Sequence, residues 1–126
     1  MMKIKCGTDI IEIERIKESI ETLGERFLKK VFTPNEIQYC ESKKVQKYQH
    51  YAARFAAKEA VYKAISDSLE DKFLLTWCDY EILNDEKGKP SVKISKLDLS
   101  EIENIDLSIS HCKQYAIATA VAIYKH

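Results

Sequence analysis

Tyr51–Ile65, YAARFAAKEAVYKAI, is the most strongly patterned segment of this 126-residue chain. Eleven of its fifteen residues are apolar, and it contains neither glycine nor proline. A helix that is apolar nearly all round is usually buried at the centre of a domain. The sequence therefore predicts a long central helix that runs from about Lys47 to Ser66.

Alanines line one side of that predicted helix and one face of the last predicted strand. From Tyr115 onward every second residue is alanine, and this alternation indicates a strand. The helix alanines fall within about 100° of arc at 100° per residue. Because small side chains let two backbones approach closely, we expect the two surfaces to pack together. They consist of Ala53, Ala56, Ala57, Ala60 and Ala64 in the helix and Ala116, Ala118, Ala120 and Ala122 in the strand.

The segments before the central helix carry both strand and helix patterns. Lys3–Ile11 alternates in a way that predicts a strand ending near Asp9. Gly24 interrupts the helical pattern that follows, and Glu25–Val31 resumes it. Thr33-Pro34-Asn35-Glu36 has the N-cap threonine, first-turn proline and third-position glutamate that begin another helix. The apolar positions of the first helix are spaced by 3, 4 and 3 residues, at Ile13, Ile16, Ile20 and Leu23.

The segments after the central helix mainly predict strands. A strand starting at Tyr80 and a second at Ser91–Ser95 flank a turn at Asp85–Lys89. Leu97–Glu103 is expected to be a short helix or irregular. Strands at Leu107–Ser110 and from Tyr115 onward are joined by a turn at residues 111–114. Residues 1–126 are therefore expected to form one α+β domain, with a mainly antiparallel sheet packed against one long central helix.

Charge and composition exclude several classes of protein. The 20 basic residues balance 20 acidic ones, whereas a nonspecific nucleic-acid binder needs a net basic surface. No apolar run approaches the ~18 residues of a membrane span, and acids interrupt the first residues before a signal-peptide core forms. The four cysteines include no C-x-x-C pair. We therefore expect a cytoplasmic protein with free thiols that binds neither nucleic acid nor membrane.

The zero net charge is the sum of two unequal halves. Residues 1–66 hold 13 basic and 9 acidic residues, a net charge of +4, and residues 67–126 hold 7 and 11, a net charge of −4. Residues 26–63 alone hold 9 against 3, a net charge of +6. The first half therefore suits an acidic partner or a phosphorylated ligand.

Charged residues interrupt the apolar central helix. Glu59 and Lys63 lie four residues apart, so they form either a simple ion pair worth roughly 0.2–0.5 kcal/mol or part of a site whose ligand or metal offsets their desolvation. Asp9 is either the N-cap of the first helix or a carboxylate of that site. Two carboxylates from separate elements, with cations nearby, suit Mg²⁺ held jointly by protein and phosphate oxygens.

Ser110 and His111 follow a predicted strand and are either exposed turn residues or a phosphate-binding pair. The sequence contains no Walker A, G-x-G-x-x-G or G-x-S-x-G motif. It has only three glycines. Any phosphate site must therefore use side chains or helix ends.

Several motifs occur in order along nearly the whole chain and together resemble one family. They are Gly7-Thr8-Asp9-Ile10, Phe32-Thr33-Pro34-Asn35-Glu36, Arg54-Phe55-Ala56-Ala57-Lys58-Glu59-Ala60, Lys63-Ala64, Gly88-Lys89-Pro90 and Ser108-Ile109-Ser110-His111. This set is similar to that of the holo-[acyl-carrier-protein] synthases, the small bacterial 4′-phosphopantetheinyl transferases. The resemblance implies transfer of 4′-phosphopantetheine from coenzyme A to a serine of apo acyl carrier protein, with release of adenosine 3′,5′-bisphosphate, for fatty acid biosynthesis.

The resemblance also implies the catalytic residues. Asp9 and Glu59 match the family's Mg²⁺ ligands, and Lys63 matches a lysine beside the pyrophosphate. Glu59, directly or through a water on the metal, is the expected base for the carrier serine. Members of the family assemble as trimers with sites at subunit interfaces, so a homotrimer is expected.

Other positions match the family's coenzyme A site. Arg54 and His111 correspond to residues near the 3′-phosphate or the nucleotide, and Ser110 directly precedes His111. Lys89 and Pro90 belong to the loop beside the adenine. Coenzyme A is thus expected as the substrate and Mg²⁺ as the cofactor.

An acidic carrier protein requires a basic docking surface. Arg15 lies on the side of the first helix opposite its apolar residues, and Arg26, Phe27 and Lys30 follow in the next segment. These residues are expected either to dock the carrier protein or simply to be solvated. Two other functions stay open at this point: a non-catalytic adaptor for an acidic partner, and another Mg²⁺-dependent nucleotide transferase.

Overall fold

The computed structural model describes residues 2–71, 74–95 and 100–125. Its helices are α1 (Ile13–Leu23), α2 (Glu25–Val31), α3 (Pro34–Glu41) and α4 (Lys47–Ile65), and its strands are β1 (Lys3–Glu12), β2 (Tyr80–Asn84), β3 (Pro90–Ile94), β4 (Ile102–His111) and β5 (Tyr115–Tyr124). Single 3₁₀ turns occur at Lys44–Gln46, Ser66–Ser68 and Trp77–Asp79. The α+β class and the long central helix are confirmed. Among the described residues, no helix has the length and apolarity needed to cross a membrane.

The strands form two antiparallel sheets. The larger sheet has the order β1-β5-β4, so β5 is its central strand, and β2 pairs with β3 as a hairpin. In the larger sheet Asp9 of β1 lies opposite Ala118, and His111 of β4 lies opposite Ala116. The two edge strands therefore carry Asp9 and His111 on opposite sides of β5.

The expected packing of the alanine surfaces is confirmed. Ala56, Ala57, Ala60 and Ala64 of α4 share one buried cluster with Ala118, Ala120 and Ala122 of β5, and Ala53 and Ala116 share the adjoining cluster. Strand β1 comes equally close to α4 at Gly7, where a Cβ atom would collide with the Ala60 carbonyl oxygen and the Lys63 Cβ. Only glycine fits this position, and the close approach places Asp9 beside the C-terminal half of α4.

A buried ion pair joins α3 and β2 to α4. The Glu36 Oε1 accepts hydrogen bonds from the Lys58 Nζ at 2.6 Å and from the Thr33 backbone N–H at 2.9 Å, and Oε2 accepts from the Ile82 N–H at 2.8 Å. The Lys58 Nζ also donates to the Val31 carbonyl at 2.6 Å. Both charged side chains are fully buried. Because each charge has several partners, the pair can offset its desolvation, and the capping box expected at Thr33 is part of it.

Three sequence-based boundaries were wrong. Strand β1 continues past Asp9 to Glu12, and β4 begins at Ile102 rather than at Leu107. His111 is the last residue of β4 rather than part of the turn. The reason in each case is the ten-residue central strand β5, which pairs with β1 along its whole length and with β4 from Ala116 to Tyr124. Leu97–Glu103 was expected to be a short helix or irregular, and Leu97–Leu99 of this segment lie outside the described residues.

One face of the larger sheet points away from α4 and is open. Ile4 and Ile10 are 59% and 61% exposed on this face, and Tyr115 and Ile117 of β5 are also exposed. Successive side chains of a strand alternate between faces, so these residues share the side opposite the alanines. We call this surface the open sheet face.

Candidate active site

Asp9, Glu59 and Lys63 come together where β1 crosses α4. The Lys63 Nζ lies 3.4 Å from the Asp9 Oδ1 and donates to the Thr8 carbonyl at 2.9 Å. Within the described residues, Lys63 is thus ion-paired across the interface rather than with Glu59 four residues before it. The alternative N-cap role of Asp9 is also excluded, because Glu12 occupies the N-cap position of α1. We call this group the β1 flank.

The electrostatics of the β1 flank suit a divalent cation. Burial raises the pKa of Glu59, the nearby charge of Asp9 raises it further, and Lys63 opposes both effects. The two carboxylates are therefore close enough to repel each other. Across residues 2–71, 74–95 and 100–125, no three His, Cys, Asp or Glu side chains gather into a metal cage. Two hard carboxylates without a full cage fit Mg²⁺, which usually completes its shell with water and substrate phosphate.

A cavity of about 340 Å³ adjoins Glu59. Its other lining residues are Lys58, Tyr62, Leu75, Thr76, Trp77 and Tyr80. The Tyr80 hydroxyl is buried and has no hydrogen-bond partner in the described part of the chain, and burial raises the pKa of this phenol. Because an unpaired buried hydroxyl is costly, the cavity suits a ligand that supplies a hydrogen-bond acceptor between apolar walls.

Arg54 anchors a second group on the other side of α4. Its side chain is only 3% exposed, its Nη2 donates to the Asn84 Oδ1 at 2.7 Å, and its guanidinium lies over the Tyr39 ring at 4.0 Å. The Asn84 Nδ2 in turn donates to the Gly88 carbonyl at 3.0 Å. The predicted residue Arg54 is therefore linked to the predicted loop at residues 88–90. This group, together with His111 at the end of β4, is called the β4 flank.

The remaining predicted coenzyme A residues lie around the β4 flank. The Lys89 Nζ lies 3.1 Å from the Asp106 Oδ1 and donates to the Leu107 carbonyl at 3.2 Å, which ties the loop to β4. Pro90 begins β3 directly after this contact. Strand alternation places the exposed Ser110 on the face opposite His111. Within one chain, Ser110 and His111 therefore do not form a pair.

The predicted site is divided between two places. Glu59 and Arg54 are five residues apart in one helix, which separates their directions by about 140° at 100° per residue. Asp9 and His111 lie on the two edge strands, with β5 between them. The structure therefore brings Asp9 and Glu59 together on one side of α4 and links Arg54 to the loop at residues 88–90 on another, while Ser110 faces away from His111.

The predicted docking residues surround two neighbouring cavities. The first, of about 480 Å³, is lined by Arg15, Ile16, Leu23, Phe27 and Phe55 among others. The second, of about 270 Å³, is lined by Arg26, Phe27, Lys30, Phe55 and Trp77 among others. Phe27 lies between them and lines both. Leu23, assigned to the apolar stripe of α1 by its spacing, is 48% exposed at the rim of these cavities.

Sequence reasoning missed several residues of both flanks. Asn84, His50 and Tyr80 each contact or adjoin a predicted site residue, and the Lys43 Nζ lies over the Tyr39 ring that Arg54 also contacts. These residues and the predicted residues beside them belong to different helices, strands and loops, so no short-range spacing in the sequence indicates that they are neighbours. The one available signal was composition, since Lys43 falls in the basic segment before α4.

Comparison with known proteins agrees with this geometry. Residues 5–120 match the model of the 4′-phosphopantetheinyl transferase superfamily. The holo-[acyl-carrier-protein] synthase of Ruminiclostridium cellulolyticum is 50% identical over 125 residues, covering 95% of this chain and 92% of the relative. The enzyme of the same name from Protochlamydia amoebophila is 49% identical over 122 residues, covering 95% and 98%.

Two solved structures of such synthases share the fold. The Bacillus anthracis enzyme, in complex with CoA (3′,5′-ADP), superposes with a TM-score of 0.79 at 32% identity and covers 99% of this chain and 100% of its own. The Helicobacter pylori enzyme, in complex with coenzyme A, superposes with a TM-score of 0.80 at 32% identity, covering 93% and 98%. The chain therefore belongs to the holo-[acyl-carrier-protein] synthases of the 4′-phosphopantetheinyl transferase superfamily.

Proposed function

We propose that this chain transfers 4′-phosphopantetheine from coenzyme A to a serine of apo acyl carrier protein, in the cytoplasm and with Mg²⁺ as cofactor. The other product is adenosine 3′,5′-bisphosphate, and the holo carrier serves fatty acid biosynthesis. The observation that carries this proposal is the Asp9–Glu59–Lys63 cluster in a chain that matches such a synthase over 95% of its length. A non-catalytic adaptor that only docks an acidic partner has no need of two carboxylates and a lysine in such a cluster.

The residues of the β1 flank divide the work of phosphoryl transfer. Asp9 and Glu59 would hold Mg²⁺, which supplies charge neutralisation on the coenzyme A pyrophosphate. Lys63 donates to a pyrophosphate oxygen and stabilises the leaving phosphate. The Glu59 carboxylate accepts the serine proton as the general base. The serine O–P bond forms, the pyrophosphate P–O bond on the nucleotide side breaks, and the nucleotide leaves as the 3′,5′-bisphosphate.

The cavity beside Glu59 suits the pantetheine arm. The arm is bonded to the phosphorus that is attacked, so it must begin within a few ångströms of the metal ligands. Tyr62, Leu75 and Trp77 supply apolar walls for its methylene groups. The unpaired Tyr80 hydroxyl can donate to an amide carbonyl or hydroxyl of the arm.

A homotrimer would reunite the two flanks. One coenzyme A carries both a pyrophosphate and a 3′-phosphate, yet α4 separates the carboxylates of the β1 flank from the cations of the β4 flank. A head-to-tail interface, repeated three times, places the β1 flank of one subunit beside the β4 flank of the next and closes into a ring. The apolar open sheet face supports such assembly, since monomers rarely expose large apolar patches.

Mixed subunits test this arrangement. Glu59→Gln disables only the β1 flank, and Arg54→Gln disables only the β4 flank. If the flanks act across an interface, co-refolding the two variants produces some sites that combine an intact β1 flank with an intact β4 flank. At a coenzyme A concentration well below the KM, we expect the mixture to exceed the transferase activity of either variant alone. Absence of recovery in a mixture proven to exchange subunits would place both flanks of a site in one chain.

The carrier protein is proposed to dock on α1 and α2. Exposed Arg15, Arg26 and Lys30 surround the partly buried Phe27, so a basic rim encloses an apolar anchor. An acidic helix with one apolar side chain would complement this surface. Rim charges of this kind mainly raise the association rate and make it dependent on salt.

The overall proposal is tested by one transfer assay. The chain is incubated with coenzyme A, Mg²⁺ and apo acyl carrier protein, and the carrier is weighed by mass spectrometry. We expect a gain of one phosphopantetheine group on the carrier, together with release of 3′,5′-ADP. An unmodified carrier, beside a positive-control enzyme that modifies it, would reject the proposal.

A further inference from the structure

Five side chains from four parts of the chain form a compact group on the β4 flank. The Tyr39 ring of α3 is at its centre, with the Arg54 guanidinium 4.0 Å and the Lys43 Nζ 4.8 Å from the ring centroid. The His50 ring of α4 packs edge-on against Tyr39 at 5.6 Å and against His111 of β4 at 5.9 Å. Two fixed cations and two imidazoles therefore share one small volume.

In the part of the chain that the structure describes, the cations of this group form no ion pair with an acidic side chain. Among the described ion pairs, neither Arg54 nor Lys43 contacts a carboxylate, and the buried Arg54 Nε has no hydrogen-bond partner. Glu41, two residues before Lys43, is bound by Lys47 and by the Tyr51 hydroxyl. A buried guanidinium without a counter-charge is costly. The group is therefore built to receive an anion.

We propose that His50 is a further ligand of the coenzyme A 3′-phosphate, which it binds together with Arg54, Lys43 and His111. The inference rests on the proposed function and adds to it a residue that the motif match does not include. The 3′-phosphate is the expected anion for a chemical reason. The pyrophosphate is committed to the metal ligands on the β1 flank, and the 3′-phosphate is the one remaining phosphate of the molecule.

His50 binds this phosphate by taking up a proton. Burial and the positive charges of Lys43, His111 and Arg54 lower its pKa to about 4, so the free protein holds a neutral ring at pH 7. A phosphate dianion inside the group offsets the positive charges of Arg54 and Lys43 and accepts a hydrogen bond from the protonated ring, and both effects favour the imidazolium. The proton comes from solvent and resides on the ring, where it makes a charge-assisted hydrogen bond to a phosphate oxygen. Binding therefore strengthens as the pH falls toward neutrality.

Calorimetry with 3′,5′-ADP tests the proton uptake directly. Titrations at pH 7 in buffers of different ionisation enthalpy report the number of protons bound with the ligand. We expect uptake approaching one proton in the wild type and none in His50→Phe, together with roughly tenfold weaker binding in that variant. Gln49→Ala, next to His50 in α4, is the matched control and should behave as the wild type.

Two nucleotides identify the phosphate. The 3′-phosphate of 3′-AMP should bind with proton uptake, whereas 5′-AMP should bind weakly and without it. Equal proton uptake by wild type and His50→Phe overturns the proposal. Proton uptake that is lost in His111→Gln but kept in His50→Phe also overturns it, because the proton would then reside on His111. Equal uptake with 5′-AMP overturns the assignment to the 3′-phosphate.

A spectroscopic measurement covers the case in which His50→Phe fails to fold. In the wild type, the ring-proton shift of His50 should stay that of a neutral imidazole from pH 8 to 6 without ligand, and become that of an imidazolium when 3′,5′-ADP is added. An unchanged shift contradicts the proposal. None of these measurements needs the carrier protein. A chain that takes up the proton but does not modify the carrier would reject the proposed function alone.

Discussion

The two flanks of α4 have opposite electrostatic character, although one helix supports both. The β1 flank holds two carboxylates and one lysine, partly exposed, where Gly7 lets β1 lie directly on the helix. The β4 flank holds a buried arginine, a lysine and two histidines around one aromatic ring. The net charge of the whole chain, which is zero, therefore does not represent the local charge of either flank. One flank is suited to a cation and the other to an anion, as a metal-bound phosphorylated substrate requires.

The largest expected effect comes from disabling the β1 flank alone. Glu59→Gln removes a metal ligand and the base but keeps the size of the side chain. We expect transfer to the carrier to fall by about 10³-fold or more, measured by carrier mass, while calorimetric binding of 3′,5′-ADP to the β4 flank changes little. The exposed Glu101→Gln is the control. Near-normal turnover would contradict the assigned role.

Disabling the β4 flank should affect substrate recognition rather than chemistry. Arg54→Gln removes a charge-assisted contact to the 3′-phosphate, so kcat/KM for coenzyme A should fall by about 10–100-fold. The value for dephospho-coenzyme A should hardly change, because that substrate lacks the phosphate. Lys93→Gln, an exposed change on β3, serves as the control, and thermal unfolding confirms that the buried substitution folds. Equal losses on both substrates would contradict a phosphate contact.

A smaller and salt-dependent effect is expected away from both flanks. Arg15→Glu reverses a charge on the docking rim and should reduce turnover with carrier protein by about tenfold at low ionic strength. The loss should shrink in high salt, because screening weakens exposed charges, and the KM for coenzyme A should stay constant. The control is Lys125→Glu at the other end of the chain. An unchanged rate at low salt would remove Arg15 from the docking surface.

The smallest expected effect is on acid stability. The folded-state pKa of His50 is lowered from 6.5 to about 4, so between these pH values the unfolded chain binds the proton that the folded chain refuses. Stability is therefore lost as the pH falls through this window. His50→Phe should remove about 1 kcal/mol of that loss, after discounting for partial exposure. Urea unfolding of both proteins at pH 7 and pH 4.5 measures this difference. An equal loss of unfolding free energy between the two pH values in wild type and His50→Phe would contradict the lowered pKa of His50.

Local patterns in the sequence predicted much of the architecture. The central helix was expected at Lys47–Ser66 and runs from Lys47 to Ile65, and the capping box at Thr33 is present. Strand ends were less well predicted, because pairing with β5 rather than local preference sets the limits of β1 and β4. The burial of Lys58 could not be predicted from local sequence either. Its position in α4 was evident, but its complete burial depends on Glu36, which lies 22 residues away.

Residue type and short-range periodicity are properties of the chain itself, so they alone specified the helices, the alanine surfaces and the carboxylates with their lysine. The distances between residues of different elements are not properties of the local sequence, because they depend on which elements pack together. Only packing placed Lys63 against Asp9 rather than Glu59, and only packing joined Arg54 to Asn84 and so to the loop at residues 88–90. His50 and His111 meet in the same way from elements far apart in the chain. No spacing encodes such contacts, since they form when buried surfaces fit together.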